Sequence, residues 1–218
     1  RLAAAPSEPA NGVAANGVAA AAAQAHSVLE TEGGEHLGDV GGTDLATDLS
    51  FFADAGIEFT PAQRVALTAN GNLQRVLSAY HNRRVTVEVL RHERVSIGLW
   101  RRRVRIAVDG TPACFASSVV VAQTRTAIDQ MDKKGGLGQL FSALGGKQDF
   151  SLLEVAKDDA TFSRVYTLAN AHLVCHIEEV MPLNLFEDDF FTASSRWHPE
   201  VFESGGVDLL DAAEGGAW

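Results

Sequence analysis

The sequence predicts an α+β domain of six strands in an antiparallel sheet, with helices before and between them. Three observations lead there. Six runs of strand-like text fall near 84–95, 99–108, 113–121, 150–156, 161–168 and 172–181, several of them alternating apolar and polar residues at period two. Asp109-Gly110 sits between the second and third runs as a hairpin signal, with Thr111-Pro112 expected to lengthen the loop. Helical patterns come before the strands and again between the third and the fourth, which is the layering of an α+β fold.

Composition bounds the class. The chain has 218 residues, enough for one domain of roughly 100–200 residues with tails. A net charge of −10 argues against nonspecific nucleic-acid binding, which recruits basic surfaces. No apolar run approaches the roughly 20 residues that span a bilayer. Cys114 and Cys175 each lie inside an expected strand and read as buried, reduced thiols, without a disulfide framework or metal-ligand spacing. The histidines, His92, His172 and His176 among them, likewise lack metal spacing. No metal and no cofactor is expected.

Residues 1–43 form an Ala- and Gly-rich arm with a short echo, Asn11-Gly12-Val13-Ala14-Ala15 and Asn16-Gly17-Val18-Ala19-Ala20. Such text buries too little apolar surface to offset its ordering entropy. Arg1 in place of methionine fits a processed precursor, or a chain that was simply trimmed. The domain proper is expected over 44–185. Asp48 to Ala55 reads as a short helix ended by Gly56. Thr60 then caps a second helix with Pro61 in its first turn, and Asn70-Gly71 ends it. Residues 72–82 continue as an amphipathic helix with Leu73, Val76, Leu77 and Tyr80 on one stripe. Gly135-Gly136-Leu137-Gly138 leads into a helix through Leu144, closed by Gly145-Gly146. A phosphate loop would need a feeding strand and a following Lys-Ser/Thr, and neither is present. Residues 186–218 are acidic and carry Phe190, Phe191, Trp197, Phe202 and Trp218; they read as a solvated tail or as a docking arm anchored by aromatics.

One strand holds a residue that does not suit its surroundings. In Trp100-Arg101-Arg102-Arg103-Val104-Arg105-Ile106-Ala107-Val108, Arg102 shares a face with Trp100, Val104, Ile106 and Val108, while Arg101, Arg103 and Arg105 point the other way. A guanidinium does not shed its charge, so a buried Arg102 needs an anionic partner, from the protein or from a ligand. The last strand, Val174 to Pro182, holds adjacent carboxylates, so Glu178 or Glu179 must face inward. His176 shares the Glu178 face, which favours Glu178 as the member of a polar pocket with Arg102. A self-satisfied Arg–Glu pair is the plainer alternative.

Several segments resemble chorismate lyase-like proteins of cyanobacteria and algal plastids. They are Phe59-Thr60-Pro61-Ala62-Gln63-Arg64 through Tyr80, the Arg102 strand with Asp109-Gly110-Thr111-Pro112, Phe115-Ala116-Ser117-Ser118, and Leu137-Gly138 with Phe141. Phe162-Ser163-Arg164-Val165-Tyr166 and Ile177-Glu178-Glu179 with Pro182 follow in the same order, so the resemblance covers roughly residues 57–183. It implies a chorismate lyase-like fold, a single six-stranded antiparallel sheet with helices on one side enclosing a small ligand cavity. It also implies an activity, elimination of pyruvate from chorismate to give 4-hydroxybenzoate without metal or cofactor. It assigns Arg102 to the substrate carboxylate and Glu178 to the hydroxyl/ether end as the catalytic pair, with backbone groups near Leu73 and Leu137 completing the binding site. A guanidinium holds a carboxylate bidentately, a carboxyl relays a proton, and aromatisation supplies the driving force.

The chain also departs from that pattern. Asn70 and Asn72 replace an acidic and a small hydroxyl residue, Gly136 replaces a proline, Ser117 stands where bacterial lyases carry arginine, and the Glu178 strand ends in Val-Met-Pro. With the two arms, these changes open a second reading. A lyase domain recruited as a non-catalytic linker subunit of a plastid light-harvesting assembly, phycobilisome or photosystem, would engage protein partners through 1–43 and 186–218. A third possibility is a module that binds an aromatic carboxylate without turning it over.

Overall fold

The computed structural model describes Phe52, residues 56–133 and residues 136–193. The expected arm over 1–43, all of the 48–55 helix except Phe52, and residues 194–218 lie outside the described residues. The rest is a six-stranded, wholly antiparallel sheet with helices against one face, in agreement with the α+β expectation.

Helix α1 spans Pro61–Leu67 and α2 spans Leu73–His81. Thr60 caps α1 as expected: its hydroxyl accepts from the Gln63 amide and the Gln63 side chain accepts from the Thr60 amide, a reciprocal capping box. Strands β1 (Val85–Ser96), β2 (Leu99–Val108) and β3 (Thr111–Ala122) form one meander. Helices α3 (Arg125–Met131) and α4 (Leu137–Leu144) cross to a second meander, β4 (Asp149–Lys157), β5 (Thr161–Ala169) and β6 (Leu173–Pro182), followed by the short α5 (Phe190–Ala193). The strand order β1-β2-β3-β6-β5-β4 joins the meanders along β3 and β6.

Two turns set the register of the first meander. Asp109 and Gly110 both have positive φ, +47° and +85°, so the β2–β3 connection is a two-residue turn of the type the dipeptide favours. Thr111-Pro112 does not lengthen it, because a register shift at Ala113 absorbs the proline within β3. Gly98 turns β1 into β2 at φ +83°, and a Cβ there would lie 3.0 Å from the Ala122 carbonyl oxygen, so glycine is required twice over.

Register fixes which residues share a face. Arg102 lies beside Ser118, then Ile177, Tyr166 and Leu152; Val104 lies beside Ala116, then Glu179, Arg164 and Val155. This face carries the core, with Trp100, Ile106, Cys114, Val120, Cys175, Phe162 and Leu168 buried against Leu67, Leu73, Leu77, Met131, Leu140 and Phe141 of the helices. The stripe expected on α2 is half right: Leu73 and Leu77 are buried, while Tyr80 is largely exposed and donates its hydroxyl to the Phe186 carbonyl. The packed core also runs past residue 185. Leu185, Phe186 and Phe190 are buried in it, and His81 lies among Tyr80, Phe186, Phe190 and Phe191 at ring separations of 5.0–6.2 Å.

Candidate functional site

Arg102 takes the place that its strand parity dictates. It sits on the core face between Trp100 and Val104 and is 3% exposed. His92 of β1 and Ser118 of β3 are its cross-strand neighbours. Burial pulls the guanidinium pKa below its ordinary value, with the nearby Cys175 thiol acting in the opposite direction. Leu73 opens α2 and is buried, and Leu137 opens α4 and is partly buried. The residues before them, Asn72 and Gly136, make no side-chain cap hydrogen bond to the first amides of either helix.

Glu178 does not share the Arg102 face. It pairs with Ser117 and Val165, neighbours whose register puts them on the face away from the helices, alongside Arg103. The expectation that Glu178 turns inward is corrected by the register: Cys175, Ile177, Glu179 and Met181 are the core-facing set of β6. Three of those four are apolar, and burying them fixes the parity of the whole strand. On the outer face, burial and the neighbouring Glu154 push the Glu178 carboxyl pKa up, while Arg103 opposes them. His176, on the same face, is held below its ordinary value by burial. Glu178→Gln is therefore expected to change the unfolding free energy by less than about 0.5 kcal/mol at pH 7, as read by urea denaturation. A loss above about 2 kcal/mol would mean that this carboxylate is structurally engaged.

The inward carboxylate is Glu179, and its partner is Arg164 rather than Arg102. Arg164 Nε donates to Glu179 Oε2 at 2.8 Å and Nη2 lies 2.7 Å from the same oxygen. Tyr166 donates its hydroxyl to Glu179 Oε1 at 3.0 Å. Arg164 Nη1 reaches the carbonyl oxygens of Leu67 and Ala69 at 2.8 and 2.7 Å. The Leu67 carbonyl is the last of α1, where the helix leaves acceptors unpaired and the macrodipole favours a cation, and Ala69 follows just past the Thr68 cap. Arg164 is fully buried and its guanidinium lies 4.4 Å from the Tyr166 ring centroid. Burial is the largest effect and works against its charge, but Glu179, Tyr166 and Cys114 together outweigh it, so the guanidinium holds its proton more firmly than usual. Burial and Glu179 together push the Tyr166 phenol well up, which keeps it a neutral donor.

Chemically this triad is closed. Both oxygens of Glu179 already accept from Arg164 and Tyr166, and an ionised carboxylate has no proton to give. It also stands two strands from Arg102, about 10 Å across the sheet. The two thiols are poor nucleophiles: burial raises Cys114, and raises Cys175 to about 12. Among the described residues, no group of three His, Cys, Asp or Glu side chains is placed to hold a metal ion, and no helix is long and apolar enough to cross a membrane. A separate, open cleft of about 450 Å³ lies at the far end of the second meander, lined by Thr60, Gln63, Lys157, Asp159, Asn184 and Glu187.

No protein-family model matches this chain, and no curated protein matches it in sequence.

Sequence reading missed Arg164, although the signal was present. Phe162, Arg164, Tyr166 and Leu168 alternate with Ser163, Val165 and Thr167 in β5, which places an arginine on an apolar stripe by the same parity that singled out Arg102.

Proposed function

We propose that this chain is a non-catalytic structural domain on a chorismate lyase-like scaffold, working through protein partners. One observation carries the reading. The lyase chemistry needs a carboxyl group that faces the arginine-bound substrate, and Glu178 faces the other side of the sheet while Glu179 is saturated by Arg164 and Tyr166. Among the described residues of β6, neither carboxylate is then placed to pass a proton to a ligand on Arg102. Under the resemblance, the host of such a subunit is a plastid light-harvesting assembly, a phycobilisome or photosystem, in which the domain acts as a linker.

The lyase reading keeps one observation in its favour. Arg102 is buried on the face where the resemblance puts the substrate carboxylate. Because loss of pyruvate aromatises the ring, orientation and exclusion of water account for much of the acceleration required. Chorismate incubated with the full chain separates the two. Pyruvate release, followed through lactate dehydrogenase, is expected to match the buffer rate. Release about tenfold faster than buffer, lost in Arg102→Ala and retained in Glu178→Gln, would establish a lyase that works without Glu178.

A further inference from the structure

The charge of the described domain is divided across its sheet. Residues 61–108, comprising α1, α2, β1 and β2, hold ten arginines against two glutamates, a net of +8. Residues 149–193, with β4, β5, β6 and α5, hold nine acidic residues against Lys157 and Arg164, a net of −7. The strand order puts β1 at the outer edge of the basic half.

That edge is also the apolar part of the described surface. Val87, Val89, Leu90, Val95 and Ile97 are between 37% and 74% exposed, and they make up five of the eight large exposed apolar residues. Strand β1 pairs with β2 on one side, so its other side presents a row of backbone donors and acceptors. Register shifts at Leu90 and Val95 bend it, which blunts indiscriminate edge pairing. They leave Val85–Val89 as an unbroken run paired with Val104–Val108 of β2. Arg83 and Arg84 precede this run, and Arg91 and Arg94 follow it; Arg83 pairs with Asp109, Arg91 with Glu93 and Arg94 with Asp132, all exposed pairs that solvent weakens.

We propose that Val85–Val89 is a docking edge that receives an extended, acidic segment of a partner protein as an added strand. The backbone row supplies affinity for a polypeptide, Val87 and Val89 favour apolar side chains at alternate positions, and the surplus positive charge of this half favours carboxylates. Two copies pairing through this same edge would set a +8 half against a +8 half, which charge disfavours; a copy offering its −7 half instead is distinguished in the test by protection that grows with protein concentration. A lipid surface or nucleic acid would use the arginines and leave the backbone row unread. The inference deepens the structural reading and rests on it; its test reads backbone protection rather than pyruvate, so the two fail separately.

The test uses the full chain and a nonapeptide of alternating glutamate and valine, with a lysine/valine peptide of equal length as control. Amide hydrogen exchange over residues 85–96 is the readout. The acidic peptide is expected to slow exchange there with at least tenfold higher affinity than the basic one. Val87→Lys is expected to abolish the effect, and Val65→Lys, an exposed change on α1, to preserve it. Equal binding of both peptides, binding of neither, or binding untouched by Val87→Lys would overturn the proposal. So would protection that grows with protein concentration alone, which identifies a second copy. Protection already complete and concentration-independent in the free chain would identify a segment of the chain itself and overturn it as well.

Discussion

Replacing Arg164 with methionine is expected to lower the unfolding free energy by about 3–5 kcal/mol, the range for removing one member of a buried ion pair. The side chain is wholly buried, and its loss strands three groups at once: the Glu179 carboxylate and the Leu67 and Ala69 carbonyls. Each stranded acceptor keeps its desolvation cost after its donor is gone. Urea unfolding of the full chain at pH 7 measures the effect. Adding Glu179→Leu removes the orphaned charge, so the double variant is expected to be more stable than Arg164→Met alone, by about 1–2 kcal/mol. Its recovery stays incomplete because Tyr166 and the two carbonyls still lack partners. An Arg164→Met variant within about 1 kcal/mol of the parent would show that the interior tolerates an unpaired Glu179, and the account of the triad would fail.

The second large effect is expected in alkali. Cys175 is raised from the ordinary thiol value of 9.0 to about 12 by burial, and Cys114 and Tyr166 are raised as well. All three are acids whose neutral form the folded state prefers, so the folded pKa lies above the unfolded one. Their contribution is complete below pH 9 and is lost as the pH rises from there towards 12. One group held neutral costs up to about 1.4 kcal/mol for each pH unit above its unfolded value, so Cys175 alone accounts for about 1.4 kcal/mol between pH 8 and pH 10. Under reducing conditions, stability at pH 10 is expected to fall below that at pH 8 by a few kcal/mol. Cys175→Ala is expected to shrink that difference by about 1 kcal/mol, whatever its own cost at pH 8. Identical stability at the two pH values would mean that these groups ionise in place.

Strand parity made much of this molecule readable in advance. The six strands, the Thr60 cap and the burial of Arg102 follow from alternation and from a few residues with strong local preferences. Parity was not enough for β6, where Val174 and Val180 are also apolar and buried. Both faces of that strand look like a core face in sequence, and only the helices, packed on one of them, decide between Glu178 and Glu179. The ion pair escaped for a related reason. Arg164 and Glu179 are adjacent across β5 and β6, and no local feature of either strand announces that neighbour. Helix α3 was missed because seven residues with Ala127 and Met131 as the only buried positions give little periodicity to detect.

The joining of the two meanders along β3 and β6 has a consequence for how the molecule folds. Each meander closes through hairpins of local sequence, but the seam pairs residues far apart, Phe115 with Val180 among them. That closure carries the loop entropy of the whole α3–α4–β4–β5 excursion and is the slow step that topology imposes. The two halves meeting there, residues 61–122 and 149–193, carry +7 and −7. Their attraction favours the productive encounter between preformed halves and disfavours pairing of like with like, so an uneven charge distribution guides assembly of the sheet before any partner is present.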